Sequence, residues 1–148
     1  MQAREIMTAN PVCCTTSDTL RAAAQLMRDN DCGSLPVVDT LDAKRLVGVV
    51  TDRDMVCRVL ATEQDCNTAT VGSAMTTGQL WSVNAEASID DVIELMEDGQ
   101  VRRIPVLDED KRVIGIVSTA DLALELDEVE DVAEVFEEIS EPTHLNGR

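Results

Sequence analysis

Two eight-residue strings in the chain read almost alike: "GVVTDRDM" at residues 48–55 and "GIVSTADL" at residues 115–122. Each sets a hydroxyl, Thr51 or Ser118, three positions ahead of a carboxylate, Asp54 or Asp121. At the start of a helix this spacing makes a capping box: the hydroxyl accepts a backbone N–H, and the carboxylate reaches back to the N–H of the capping residue. The same carboxylate has a second chemistry open to it. It can accept from both vicinal hydroxyls of a ribose, and charge-assisted bonds of this kind contribute about 1.5–3 kcal/mol each. Free N–H groups at a helix start suit a phosphate, and aliphatic walls suit an adenine face. Both readings stay open at this level. Gly48 and Gly115 read as positions of close packing within a strand.

The two strings belong to a longer duplication. Met7 aligns with Met75, Leu20 with Ile89 and Pro36 with Pro105, at nearly constant offset, over residues 3–60 and 71–126. Each half opens on a short strand, "VCC" or "LWSV". A helix follows, with Leu20, Ala23, Ala24 and Met27, or Ile89, Val92, Ile93 and Met96, along one face. A Ser or Thr caps that helix, and Gly99 ends the second copy. Then come a strand, "SLPVVD" or "RIPVLD", a second strand, "RLVGVVT" or "RVIGIVS", and a helix from Asp52 or Thr119. The expected fold class is mixed α+β: two β-α-β-β-α repeats, residues 1–62 and 63–126, packed pseudo-twofold through their sheets. About 60 residues alone bury too little surface to be comfortable. That packing leaves two equivalent clefts between the halves. Residues 127–148 form an acidic amphipathic helix, with Val129, Val132, Phe136 and Ile139 along one stripe, and a tail.

Composition narrows the function. The 29 Asp and Glu against 12 Lys and Arg give a net charge of −17, which repels nucleic acid and anionic membranes. Lysine is scarce (Lys44 and Lys111), a balance compatible with a high-salt habitat. One Trp, one Phe and no Tyr leave no platform for stacking bases. The sequence has neither a signal-peptide pattern nor a membrane-length apolar run, and its five cysteines include no CxxC pair, so it reads as cytoplasmic with reduced thiols. Cys13, Cys14 and Cys32 read as buried structural thiols. His144, the single histidine, sits in the tail. With no nucleophile–histidine pairing and no metal-ligand cluster, the expectation is no enzyme, no metal and no required cofactor.

The pattern G-aliphatic-aliphatic-[TS]-x-x-D-aliphatic, after "LPVVD" or "IPVLD", twice over, resembles a tandem pair of CBS domains, a Bateman module. With "EIMT" near the start and "VRRIPV" in the second half, the chain is similar to short stand-alone members of that family. The resemblance implies a regulatory, ligand-sensing homodimer that acts in trans on another protein. It implies an adenosine-containing ligand: AMP, ADP or ATP foremost, with NAD and S-adenosylmethionine as alternatives. It implies one cleft joining Thr51 and Asp54 to Leu80, Trp81, Val101, Arg102 and Arg103, with Arg53 as a further cation. The other joins Ser118 and Asp121 to Pro11, Val12, Cys32, Gly33 and Ser34. A phosphate on so acidic a chain needs local arginines, so the first cleft is the expected phosphate site. The competing reading is a dimeric interaction or stress-response protein in which both motifs only cap helices.

Overall fold

The computed structural model describes residues 1–126 and 129–140, the side chains of residues 129–131 excepted. His144 and residues 127, 128 and 141, the ends of the expected acidic helix, lie outside the described residues, as does the Val129 side chain. The chain opens with a helical turn, α1 (Ala3–Ile6), and a two-residue strand, β1 (Thr8–Ala9). The first repeat then runs β2 (Cys14–Thr15), α2 (Leu20–Asp29), β3 (Ser34–Val38), β4 (Leu46–Thr51) and α3 (Asp52–Met55), which continues as a π-helical turn, Val56–Leu60. A second leader, α4 (Val71–Ala74), precedes β5 (Val83–Asn84), α5 (Ile89–Gly99), β6 (Arg103–Leu107), β7 (Val113–Ser118) and α6 (Thr119–Glu125). Helix α7 (Val129–Ser140) follows. The β-α-β-β-α order holds in both halves. Among the described residues no helix is long and apolar enough to cross a membrane.

The chain forms two compact units that do not coincide with its sequence repeats. The first-repeat unit is Asn10–Leu80 with Glu109–Val113; the second-repeat unit is Met1–Ala9, Trp81–Asp108 and Ile114 onward. In the first-repeat unit β3 is central, parallel to β2 and antiparallel to β4, with Pro36 opposite Val49. Its core gathers Leu20, Ala23 and Met27 of α2 under Leu35, Val37 and Val50. In the second-repeat unit the sheet order is β1-β7-β6-β5. Ile89, Val92 and Met96 of α5 pack there with Ile104, Val117 and Leu122.

The leaders explain the two recurrent glycines. Residues 1–9 lie in the second-repeat unit: Ala3 N–H donates to Ala87 O at 2.8 Å, and Thr8 of β1 pairs with Ile116 of β7. Residues 70–76 do the same in the first-repeat unit, where Thr76 and Val49 exchange backbone hydrogen bonds of 2.9 and 3.1 Å. A Cβ on Gly48 would come 2.9 Å from Thr76 O and 3.0 Å from Met75 Sδ, and one on Gly115 would run into the Met7 side chain. The repeated methionine lies across the repeated glycine in both units.

Several expectations are corrected. The first strands of the repeats start later than "VCC" and "LWSV", so Pro11, Val12, Leu80 and Trp81 sit in irregular backbone. Ala24 is exposed and Ile93 half-buried, so the buried stripes are narrower than the periodicity suggests. Gly99 does end α5, as its last helical residue, and Gln100 takes the left-handed conformation at φ 49°. Gly99 is needed because Trp81 packs on it: a Cβ there would stand 2.7 Å from the indole Nε1. Among the described side chains of α7, Val135 and Ile139 are buried, while Phe136 is exposed.

Candidate functional site

Both hydroxyl-x-x-Asp strings form complete capping boxes. Thr51 ends β4 in extended backbone; its Oγ1 accepts from Asp54 N–H at 3.1 Å, and Asp54 Oδ2 accepts from Thr51 N–H at 3.0 Å. Ser118 ends β7 in the same way, and its Oγ accepts from Asp121 N–H at 3.3 Å. Asp121 Oδ2 accepts from Ser118 N–H at 2.7 Å and from the Ser118 hydroxyl at 2.6 Å. A carboxylate in the first helical turn also meets the positive end of the helix dipole.

The surroundings of the two aspartates differ. Asp54 Oδ1 lies 3.7 Å from Arg58 Nε, one helical turn on. Arg58 also donates through Nη1 to Ala74 O at 3.1 Å and Met75 O at 3.2 Å, which ties the motif to the leader α4. The position corresponding to Arg58 in the second repeat is Glu125, so Asp121 has no such cation. Sequence reasoning missed Arg58, although its i, i+4 spacing from Asp54 was the available signal.

Each motif adjoins, in its own unit, the segment leading into the preceding hairpin. Asp52 N–H donates to Gly33 O at 2.9 Å, and Thr119 N–H donates to Arg102 O at 3.1 Å. Gly33 leaves room for Asp52, whose Oδ2 would stand 2.8 Å from a Cβ there. Thr51, Arg53, Asp54, Leu80, Pro11, Val12, Cys32 and Gly33 thus belong to the first-repeat unit. Trp81, Val101, Arg102, Arg103, Ser118 and Asp121 belong to the second-repeat unit. Each expected grouping draws on both units. Arg102 and Arg103 are exposed, and neither side chain has an ion-pair partner among the described residues.

Of the three thiols expected in the core only Cys14 is buried; Cys13 and Cys32 are half-buried, and Cys57 and Cys66 are exposed. Cys14 is buried, its Sγ 3.9 Å from Pro36 O; burial first, then the Asp18 charge, pushes its pKa up to about 12. Burial raises Cys13 as well, with Lys44 opposing. Neither is a thiolate at neutral pH. The opposite ends of α5 shift carboxyls in opposite directions. The Ser88 hydroxyl lowers Asp91, whereas burial, followed by the hydrogen bond and charge of Glu138, raises Glu97.

Comparison with known proteins supplies the context. The CBS domain family matches residues 3–61 and 71–128. Hypoxic response protein 1 of Mycobacterium tuberculosis is 46% identical over 126 residues, 85% of either chain. A crystal structure of Hypoxic Response Protein I with two coordinated zinc ions aligns at TM-score 0.77 and 45% identity, covering 85% of this chain and 99% of that one. CBSX2 in complex with AMP aligns at TM-score 0.72 and 26% identity, covering 86% and 99%. The CBS domain pair of protein MJ0100, in complex with 5'-methylthioadenosine and S-adenosyl-L-methionine, aligns at 0.73 and 25%, covering 84% and 94%. Among the described residues no three His, Cys, Asp or Glu side chains stand together as metal ligands.

Proposed function

This chain belongs to the CBS-domain family, and from that premise we propose that it is a ligand-sensing regulatory protein for an adenosine-containing molecule, acting in trans on a protein partner in the cytoplasm. One observation carries the reading. Each repeat holds a carboxylate at a helix start and spends only one oxygen, Oδ2, on the cap. The other oxygen of Asp54 has only a long contact to Arg58, and that of Asp121 has no hydrogen-bond partner among the described residues. A second acceptor beside the cap is what a ribose diol requires. The ligands bound by CBSX2 and MJ0100 share adenosine and differ in charge: AMP carries a phosphate, while the other two do not. Recognition through the nucleoside therefore fits the motif, and the phosphate is a separate question of arginines.

On the grouping that the resemblance implies, Thr51, Asp54 and Arg53 act with Arg102 and Arg103 on a phosphorylated ligand, and Leu80, Trp81 and Val101 supply apolar walls. Ser118 and Asp121, with Pro11, Val12, Cys32 and Gly33, take a ligand without phosphate. Isothermal titration with AMP, ATP, NAD and S-adenosylmethionine tests this. AMP binds, Asp54→Ala weakens it by about 1.5–3 kcal/mol, and Arg102→Ala weakens AMP more than 5'-methylthioadenosine. If Asp121→Ala abolishes AMP binding and Asp54→Ala spares it, the grouping is wrong but the sensing reading stands. Absence of heat with every ligand at high protein concentration removes the sensing reading. It would leave the second reading, favoured by the completeness of both capping boxes, of a dimeric interaction protein without a nucleotide.

A further inference from the structure

Helix α7 lies on α5 and α6 in the second-repeat unit. Among its described side chains, Val135 and Ile139 are buried and join the core beside Val92, Met96 and Leu122. A polar tie crosses the same contact. Gln100, in the left-handed turn after α5, donates through Nε2 to Glu138 O and to Glu97 O, each at 2.9 Å. A helix of 12 residues is marginal alone in water, so α7 depends on this seat for most of its stability.

Charge works against the seat. Helices α5, α6 and α7 contain no Lys or Arg. Half-buried Glu97 of α5 shares a hydrogen bond with Glu138 of α7, while Asp98 of α5 and Glu134 of α7 add their charges nearby. Two carboxyl groups share a hydrogen bond only while one of them keeps its proton. Burial, then Glu138, raises Glu97 in keeping with that. The other elements packed on these helices bring little relief. On α6 the exposed Glu125 is a further acid, and on β6 the exposed Arg103 makes no ion pair among the described residues. The position of Glu97 in the first repeat is Arg28, so the repeat itself does not demand an acid there.

We infer that α7 is a cover over α5 and α6 whose seating is set by the charge of this carboxyl cluster: it closes when the cluster is protonated or screened by salt, and lifts at neutral pH and low ionic strength. Proton uptake favours the closed state because the pair binds a proton more tightly there than apart. Salt acts in the same direction, since it weakens repulsion between like charges and leaves the burial of Val135 and Ile139 in place. Lifting bares the face of α5 and α6 that α7 otherwise occupies. The inference does not depend on the ligand reading.

Hydrogen exchange of the full chain, followed on the α7 amides and corrected for intrinsic rates, tests it. Protection in the wild type rises about fivefold or more between about 0.05 M and about 1 M NaCl at pH 7, and by a similar factor between pH 7 and about pH 5 at low salt. Glu97→Gln with Glu138→Gln keeps the hydrogen bond without the charge, so its α7 amides are protected at pH 7 in low salt to within about twofold of their high-salt value. Val135→Ser with Ile139→Ser removes the seat and with it the response, while unchanged protection of α5 shows that the core is intact. Wild-type α7 protection that ignores both salt and pH overturns the inference. So does a full response in the double glutamine variant. A response that survives in the double serine variant also overturns it, because it would then belong to the helix itself rather than to its seating.

Discussion

Asp54 divides its carboxylate between the Thr51 N–H and Arg58, whereas Asp121 places both of its hydrogen bonds, to the Ser118 N–H and hydroxyl, on a single oxygen. The backbone geometry is the same in both, because an extended strand end followed by hydroxyl-x-x-Asp closes the same pair of bonds wherever it occurs. The difference comes from one residue a turn later, Arg58 against Glu125. Arg58 fastens the first motif to the carbonyls of Ala74 and Met75, whereas the second motif meets its leader through the pairing of β1 with β7 and the packing of α1 on α6, with no arginine at the corresponding position. A duplicated string therefore gives duplicated local structure without duplicated neighbours.

The glycines offer the largest contrast between the repeats. Gly48 faces a backbone carbonyl, Thr76 O, which is itself held in a hydrogen bond to Val49; Gly115 faces the Met7 side chain, which can turn away. Gly48→Ala is expected to cost about 2–3 kcal/mol and Gly115→Ala about 1 kcal/mol, by denaturant unfolding. Equal costs would mean that both leaders yield alike. The aspartates come next. Asp54→Ala removes a cap contact and the partner of Arg58, at about 1–2 kcal/mol, while Asp121→Ala removes a cap contact alone, at about 1 kcal/mol or less. Arg58→Ala should erase most of the difference between the two, a comparison that a double-mutant cycle measures.

The smallest effect concerns α5. Glu97 holds its proton more firmly in the folded chain than in the unfolded one, because of burial and then Glu138. The stability gained from that proton is full below the ordinary glutamate range and is lost as pH rises through the raised value. Asp91, lowered by Ser88, has the opposite sign: its contribution is present above the ordinary aspartate range and is lost as pH falls through the lowered value. Glu97→Gln should therefore raise the melting temperature at pH 7 by about 1–3 °C and change nothing near pH 3.5. A melting curve unchanged at both pH values would place Glu138 too far from Glu97 to matter.

Much of this architecture was legible in the sequence for identifiable reasons. The helices α2 and α5 announce themselves by apolar spacing and by Thr19 and Ser88 as caps, and β3, β4, β6 and β7 by runs of Val, Ile and Leu. The motif residues Thr51, Asp54, Ser118 and Asp121 form the bonds their spacing predicts. The leaders were not legible, because a four-residue helix and a two-residue strand carry no period and are held by partners far along the chain. Ala24 misled because helical spacing fixes a face but not whether anything covers it. Gly99 marks the end of α5 as expected, but that its smallness also answers Trp81 carried no signal in the spacing. Phe136 reads as core by hydropathy, and it turns outward because Val135 and Ile139 already fill the contact with α5 and α6.

The exchange of leaders bears on how the chain can be made. β7, the strand against which β1 pairs, is synthesised more than a hundred residues after residues 1–9. Residues 1–9 must therefore wait unpaired while both repeats are synthesised, whereas residues 70–76 find their seat as soon as they emerge. Severing the polypeptide between the repeats would leave each fragment carrying a piece that belongs to the other.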